Sequence, residues 1–236
     1  MPRFALDIDT IAFIRNMLDG KNPDPVHALV LAELGGAESI VCYLRDDLKT
    51  VNEADVLLLR QVVKSYLNVR SNITDENIRT LMRIKPDMIT FVSPGDVSSI
   101  EAQSVDLNMY SEQVKDFTAE FRSSGILSSV LIDPALAQVK MAAKLDFDYV
   151  EFNAADLAHA PDMNEEIQIL EEISGLTIAA NKLGMGVNIS GGIGYENIKD
   201  ISQIDYLEDI IAGRGVFSKS LSIGIEQAVR DLIALI

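Results

Sequence analysis

A single-domain (β/α)8 barrel, the TIM barrel, is the fold this sequence predicts, and three observations predict it. Eight short apolar runs alternate with stretches of helical periodicity along 236 residues, the pattern of parallel strands buried on both faces and covered by helices. The length suits one such barrel, and with 48% hydrophobic residues the chain can build one large core. Two apolar runs near the end, Val187–Gly194 and Asp209–Val216, finish in glycines and lead into helix-like sequence. Such a tandem matches the phosphate site formed by the last two βα loops of these barrels.

The elements follow in order. Phe4 to Asp9 reads as the first strand, with Asp7 and Asp9 on one face because side chains alternate along a strand. A loop holding Pro23-Asp24-Pro25 leads to a helix over 24–34, stopped by Gly35-Gly36. Ser39–Leu44 is strand two. Asn52 opens a helix whose Val56, Leu59, Val62 and Val63 share a face. Leu67–Arg70 is strand three. Thr74, before Asp75-Glu76, caps a helix running to Ile84, and Met88–Val92 is strand four. Ser93–Leu107 reads as a long loop of the kind that covers active sites. A helix over Ser111–Arg122 follows, then strand five at Ser128–Asp133. Pro134 suits the first turn of a helix to Leu145. Tyr149–Phe152 is strand six, Asn164–Leu183 a helix with a possible break at Gly175, and Gly186–Ile189 strand seven. Glu196–Ile204 is a helix, Ile210–Ala212 strand eight, and Leu221–Ile236 a closing helix.

Composition excludes several classes of function. Net charge is −16, a surface that repels nucleic acid and anionic lipid, so neither is an expected partner. There is no apolar run of the roughly 18 residues a membrane span needs. The opening segment meets Asp7 too early for a secretion signal. Cys42 is the sole cysteine, which fits a reducing cytoplasm. A phosphorylated ligand would need a local positive site, and the glycine turns with Arg214 supply one. Gly191, Gly192 and Gly213 let the backbone approach an anion, a helix starting near Gly194 adds its dipole, and Arg214 adds a full charge. Alternatively the glycines are tight turns only, and Arg214 pairs with a carboxylate such as Glu208 or Asp209.

In this fold, chemistry sits at the carboxyl ends of the strands. Asp7, Asp9 and Glu151 are the candidate proton-transfer groups there. Tyr43 is a further candidate as a hydrogen-bond donor, although a phenol with a pKa near 10 is a poor base. Arg45, Arg70 and Asn153 are candidates for holding the substrate. The same acids and arginines also suit a structural ion-pair cluster closing the mouth. No lysine stands at a strand end, which disfavours a Schiff base. Three acids could hold Mg²⁺ or Mn²⁺, but no spacing signature supports a metal, and no cofactor is expected.

These residues carry a resemblance. Asp7-Ile8-Asp9-Thr10-Ile11-Ala12 with Arg15-Asn16 and Pro23-Asp24-Pro25-Val26, then Leu44-Arg45-Asp46-Asp47, Asn68-Val69, Lys85-Pro86, Ile132-Asp133 and Glu151, are similar to the pyridoxine 5′-phosphate synthase family. Val187-Asn188, Gly192, Gly213 and Gly224–Val229 continue the likeness. It implies a barrel with extra helices, homo-oligomers from dimer to octamer, and condensation of 1-deoxy-D-xylulose 5-phosphate with 3-amino-2-oxopropyl phosphate. It also implies departures at the chemistry. The family carries histidines where this chain has Thr10, Tyr43, Asn153 and Gly191, and a glutamate base where it has Arg70. A substrate-binding arginine of the first loop falls at Leu18, and threonines of the long loop at Ile100 and Glu101. Asp9, Arg45, Glu151, Gly192 and Gly213 match. The expectation is a phosphate-binding barrel, a diverged enzyme that does not make pyridoxine 5′-phosphate by the family route. The alternatives are a non-catalytic binding or assembly subunit, and an authentic synthase with a rearranged site.

Overall fold

The computed structural model describes residues 1–94 and 99–236, without the side chains of 111 and 112. Eight parallel strands close into one barrel in chain order: β1 Arg3–Asp7, β2 Ser39–Leu44, β3 Tyr66–Asn72, β4 Met88–Val92, β5 Leu127–Ile132, β6 Tyr149–Asn153, β7 Gly186–Ser190 and β8 Leu207–Ala212. The ring shuts where Phe4 of β1 pairs with Ile210 of β8. Around it lie α1 Asp9–Met17, α2 Pro25–Gly35, α3 Glu53–Val62, α4 Asp75–Ile84, α5 Leu107–Ser124, α6 Leu136–Lys144, α7 Met163–Lys182, α8 Ile198–Ile201, α9 Arg214–Ile223 and α10 Ile225–Ile233, with a short 3-10 helix at Ala155–His159.

Strand alternation sorts the side chains into two cores. Phe4, Leu6, Ile40, Cys42, Phe91 and Phe152 point outward and pack beneath the helices. Phe91 meets the rings of Phe117, Phe121 and Phe147 at 6.1, 5.6 and 6.0 Å, which ties α5 to the barrel wall. Burying each such ring contributes about 1.5–3 kcal/mol. Inside, Ala5, Val41 and Ile211 form a separate small plug, with Tyr43, Val92 and Leu131 above it. The floor is polar: Arg3 pairs with Asp209 at 2.7 Å, and the Tyr149 hydroxyl donates to Glu208 at 2.7 Å.

Several boundaries differ from the sequence reading. β1 stops at Asp7, and Asp9 is the first residue of α1. The Asp7 carboxylate accepts the Asp9 amide at 2.9 Å across the strand-to-helix turn. Asp106 caps α5 from Leu107, well before Ser111, because its carboxylate takes the Asn108 amide at 3.0 Å. Part of the long loop, 95–98, lies outside the described residues. Pro134 precedes α6, which begins at Leu136. α7 runs through Gly175 unbroken. The helix expected over 196–204 shrinks to four residues, and the last helix divides at Gly224, whose φ of +81° no helix continues.

Candidate functional site

A cavity of about 410 Å³ opens at the carboxyl ends of the strands, lined among others by Asp7, Asp9, Arg70, Asn153, Glu196 and Arg214. Its centre is an ion-pair bridge. Arg70 reaches from β3 with Nη1 2.7 Å from Asp7 Oδ2 and Nη2 2.5 Å from Glu151 Oε1. Ser190, at the end of β7, donates to the same Glu151 oxygen at 2.5 Å. Arg70 and Glu151 are buried. Burial works against the charged guanidinium, but Glu151 and Asp7 outweigh it and hold Arg70 protonated. Both terminal nitrogens of Arg70 are therefore engaged by the chain itself.

Asp9 is buried at the edge of this cluster and lines the cavity. Its Oδ1 accepts the Tyr43 amide at 2.8 Å. Burial, and then the neighbouring Asp7 carboxylate, push its carboxyl well above the usual range. Asp7 and Asp9 do not share a strand face, as the sequence reading had it; the strand-to-helix turn brings them together instead.

Two expected members stand apart from the cavity. Tyr43 is buried inside the barrel, and its hydroxyl donates to Asn72 Oδ1. Burial raises its pKa further, away from any role as a base. Arg45 lies over the Tyr43 ring, 5.2 Å from its centroid, and grips Asp47 through two bonds of 2.9 and 2.8 Å. Neither lines the cavity; the loop after β2 that carries Arg45 is held against α1 and α4, where Asn16 donates to the Thr50 carbonyl at 2.7 Å and Asn77 donates to Asp46 at 2.7 Å. Asn153 does line it, while its amide donates to Ser104 at 3.1 Å and its oxygen accepts the Ala155 amide at 3.1 Å.

The glycine turns meet at the far wall. Gly191 and Gly192 have φ of +88° and +64°, a region that L side chains avoid. A Cβ on Gly191 would stand 2.6 Å from Asn153 Oδ1, and one on Gly213 would stand 2.9 Å from the Asp7 carbonyl. These glycines are thus required by contacts within the chain. The helix dipole expected near Gly194 is missing. Asn197 organises that turn instead, accepting the Gly194 amide at 2.9 Å and donating to the Gly192 carbonyl at 2.9 Å. A dipole comes from α9, ten residues long, whose first turn begins at Arg214. Arg214 pairs with Glu101, Nη1 to Oε1 2.5 Å, rather than with Glu208 or Asp209.

Sequence reasoning missed Glu101 and Glu196 as cavity residues, and it placed the start of the last helix at Leu221 although α9 begins at Arg214. The Gly224 stop and the Arg-Gly-Val-Phe run were the available signals for that helix. Among the described residues, neither His27 nor His159 lines the cavity; the His159 ring lies 2.9 Å from the Ala155 carbonyl. Among the same residues, no helix is long and apolar enough to cross a membrane.

Comparison with known proteins agrees with this geometry. The family model described as "Pyridoxal phosphate biosynthesis protein PdxJ" matches residues 4–236. The pyridoxine 5′-phosphate synthase of Geotalea daltonii is 34% identical over 236 residues, 100% of this chain and 99% of the relative. That of Geobacter sulfurreducens is 32% identical with the same coverage. Among solved structures, KGPDC from Streptococcus mutans superposes with a TM-score of 0.67 at 12% identity, covering 100% of this chain and 97% of that one. Thiamine phosphate pyrophosphorylase from Pyrococcus furiosus gives a TM-score of 0.63 at 12% identity, covering 99% and 94%. At such identities these two share the fold alone. Full-length identity to the curated synthases, a family match from the first strand to the last residue and a closed eight-stranded barrel place the chain in the PdxJ family.

Proposed function

We propose that this chain binds a phosphorylated small molecule in the mouth cavity and works as a diverged enzyme, with Asp9 moving protons there, and that it does not make pyridoxine 5′-phosphate by the family route. The observation that carries the reading is Arg70. It stands where the resemblance puts a glutamate base, and it is clamped between Asp7 and Glu151. An arginine accepts no proton, whereas ring closure with loss of water needs groups that titrate near neutrality. Asp9 is the lining group moved in that direction. The phosphate lies between the turn 190–194 and the first turn of α9, where open amides, the helix dipole and Arg214 converge.

The experiment has two arms. Calorimetry with inorganic phosphate and simple sugar phosphates should show binding to the wild type, weakened roughly tenfold or more in Arg214→Ala. Equal affinities would remove Arg214 from the site, and no binding by the wild type would leave the glycines as architecture. Expression in a pyridoxine auxotroph should give no growth, since each lost acid–base group costs about 10²- to 10⁴-fold in rate. Growth would make the chain an authentic synthase with a rearranged site. One observation favours a second reading, a non-catalytic binding or assembly subunit. Both terminal nitrogens of Arg70 are taken up by Asp7 and Glu151 of the chain itself, as in a structural cluster. Binding with no turnover of any sugar or amino-ketone phosphate would select it. We also propose a homo-oligomer, supported by apolar side chains left in solvent on α3, where Leu58 is 49% exposed.

A further inference from the structure

Arg214 is the point at which an incoming anion meets a carboxylate of the chain itself. Arg214 Nη1 lies 2.5 Å from Glu101 Oε1, with both side chains partly in solvent. Glu101 belongs to the stretch after β4, which is tied down on either side of it. The Glu101 amide donates to Ser99 Oγ at 3.1 Å, the Ser93 amide to the Gln103 carbonyl at 2.9 Å, and the Val105 amide to the Leu131 carbonyl at 2.8 Å. Ile100, Ala102 and Gln103 line the cavity beside it. Among the described residues, the other lining cation is Arg70, already engaged by Asp7 and Glu151, so it cannot draw Glu101 away. A guanidinium binds carboxylate and phosphate through the same fork of N–H donors, so the two compete for one edge.

We propose that Glu101 is a built-in competitor for the anion. It occupies Arg214 when the cavity is empty, and a phosphate group entering beside α9 displaces it. The proposal rests on the anion site proposed above. Its consequence is a lowered affinity for anions that would otherwise neutralise Arg214. Phosphate, with a charge near −2 and three acceptor oxygens, gains from the exchange, whereas a simple carboxylate replaces like with like.

The test is calorimetric titration of the full chain with inorganic phosphate at low ionic strength, for the wild type, Glu101→Gln and Glu101→Asp. The glutamine removes the charge. The aspartate keeps the charge but withdraws it from Arg214 by one methylene. Both variants are expected to bind phosphate about two- to fivefold more tightly, the scale of a partly exposed ion pair. If only the glutamine variant gains, Glu101 acts by general repulsion and the competition is overturned. Wild-type affinity in both variants also overturns it while leaving the anion site standing. If none of the three binds phosphate, the anion site fails together with it. Glu101 is solvent-exposed enough for both variants to fold, and a circular dichroism melt checks this.

Discussion

A carboxyl taken out of water beside a second carboxylate keeps its proton to higher pH, and Asp9 is in that position. Its folded pKa is raised, so between the ordinary value of 3.8 and the folded value the native state binds more protons than the unfolded chain. Stability attributable to Asp9 therefore falls as pH rises through that window, by up to about 1.4 kcal/mol per unit. Asn mimics the protonated acid: it keeps an oxygen for the Tyr43 amide and an N–H for Asp7. Asp9→Asn is expected to match the wild type near pH 3.5 and to exceed it by a margin that grows as pH rises through that window, read by urea unfolding at several pH values. A constant difference at all pH values would show that Asp9 titrates normally. Arg70 tests the opposite case. Arg70→Ala leaves Glu151 buried without its cation, and loss of one member of a buried pair costs about 3–5 kcal/mol. A loss below 1 kcal/mol in chemical denaturation would mean that the bridge is not formed in solution.

At the scale of elements, the last third of the chain builds the wall of the cavity that carries the glycine turns and Arg214. Gly224, at φ +81° and ψ 158°, falls inside the span Leu221–Ile236 that reads as one helix and separates α9 from α10. The break ends α9, whose N-terminus at the cavity follows Gly213, and starts α10 on a new axis against α2. There Gly35 permits a close crossing: a Cβ on it would stand 2.7 Å from both the Glu226 carbonyl and Val229 Cβ. Gly35→Ala is expected to destabilise the fold by about 1–3 kcal/mol, the cost of overpacking a tight contact. A thermal melt within a degree of the wild type would show that the helices shift apart freely. The turn after β7 shows why a helical pattern can fail locally. Asn197 satisfies Gly194 and Gly192 with its own side chain, which leaves only four residues, Ile198–Ile201, helical.

For the whole molecule, a net charge of −16 puts repulsion between copies against the apolar side chains left outside, such as Leu34 and Leu58. Salt screens the first and leaves the second. Light scattering at micromolar concentration in about 0.15 M salt is expected to give at least twice the 25.9 kDa chain mass. A monomer mass under those conditions would remove the homo-oligomer from the proposal. The same charge makes Arg214 important, since among the described lining residues Asp7, Asp9, Glu101 and Glu196 stand against Arg70 and Arg214.

The sequence by itself determined the barrel, its eight strands in order and the ring of polar residues at its mouth, because period-two and helical patterning, caps such as Thr74 and stops such as Gly35-Gly36 are local properties. It also determined family membership, through residues spread from Asp7 to Val229. Only the tertiary structure decided which of the mouth residues meet. Tyr43 and Arg45 sit at a strand end as predicted yet do not line the cavity. Asp7, Arg70 and Glu151, distant in sequence, lock together, and Glu101 crosses from the loop after β4 to reach Arg214. The reason is physical. Strand alternation fixes a side chain's face, but its partner depends on the barrel's stagger and on loops whose closure involves residues far apart in the chain.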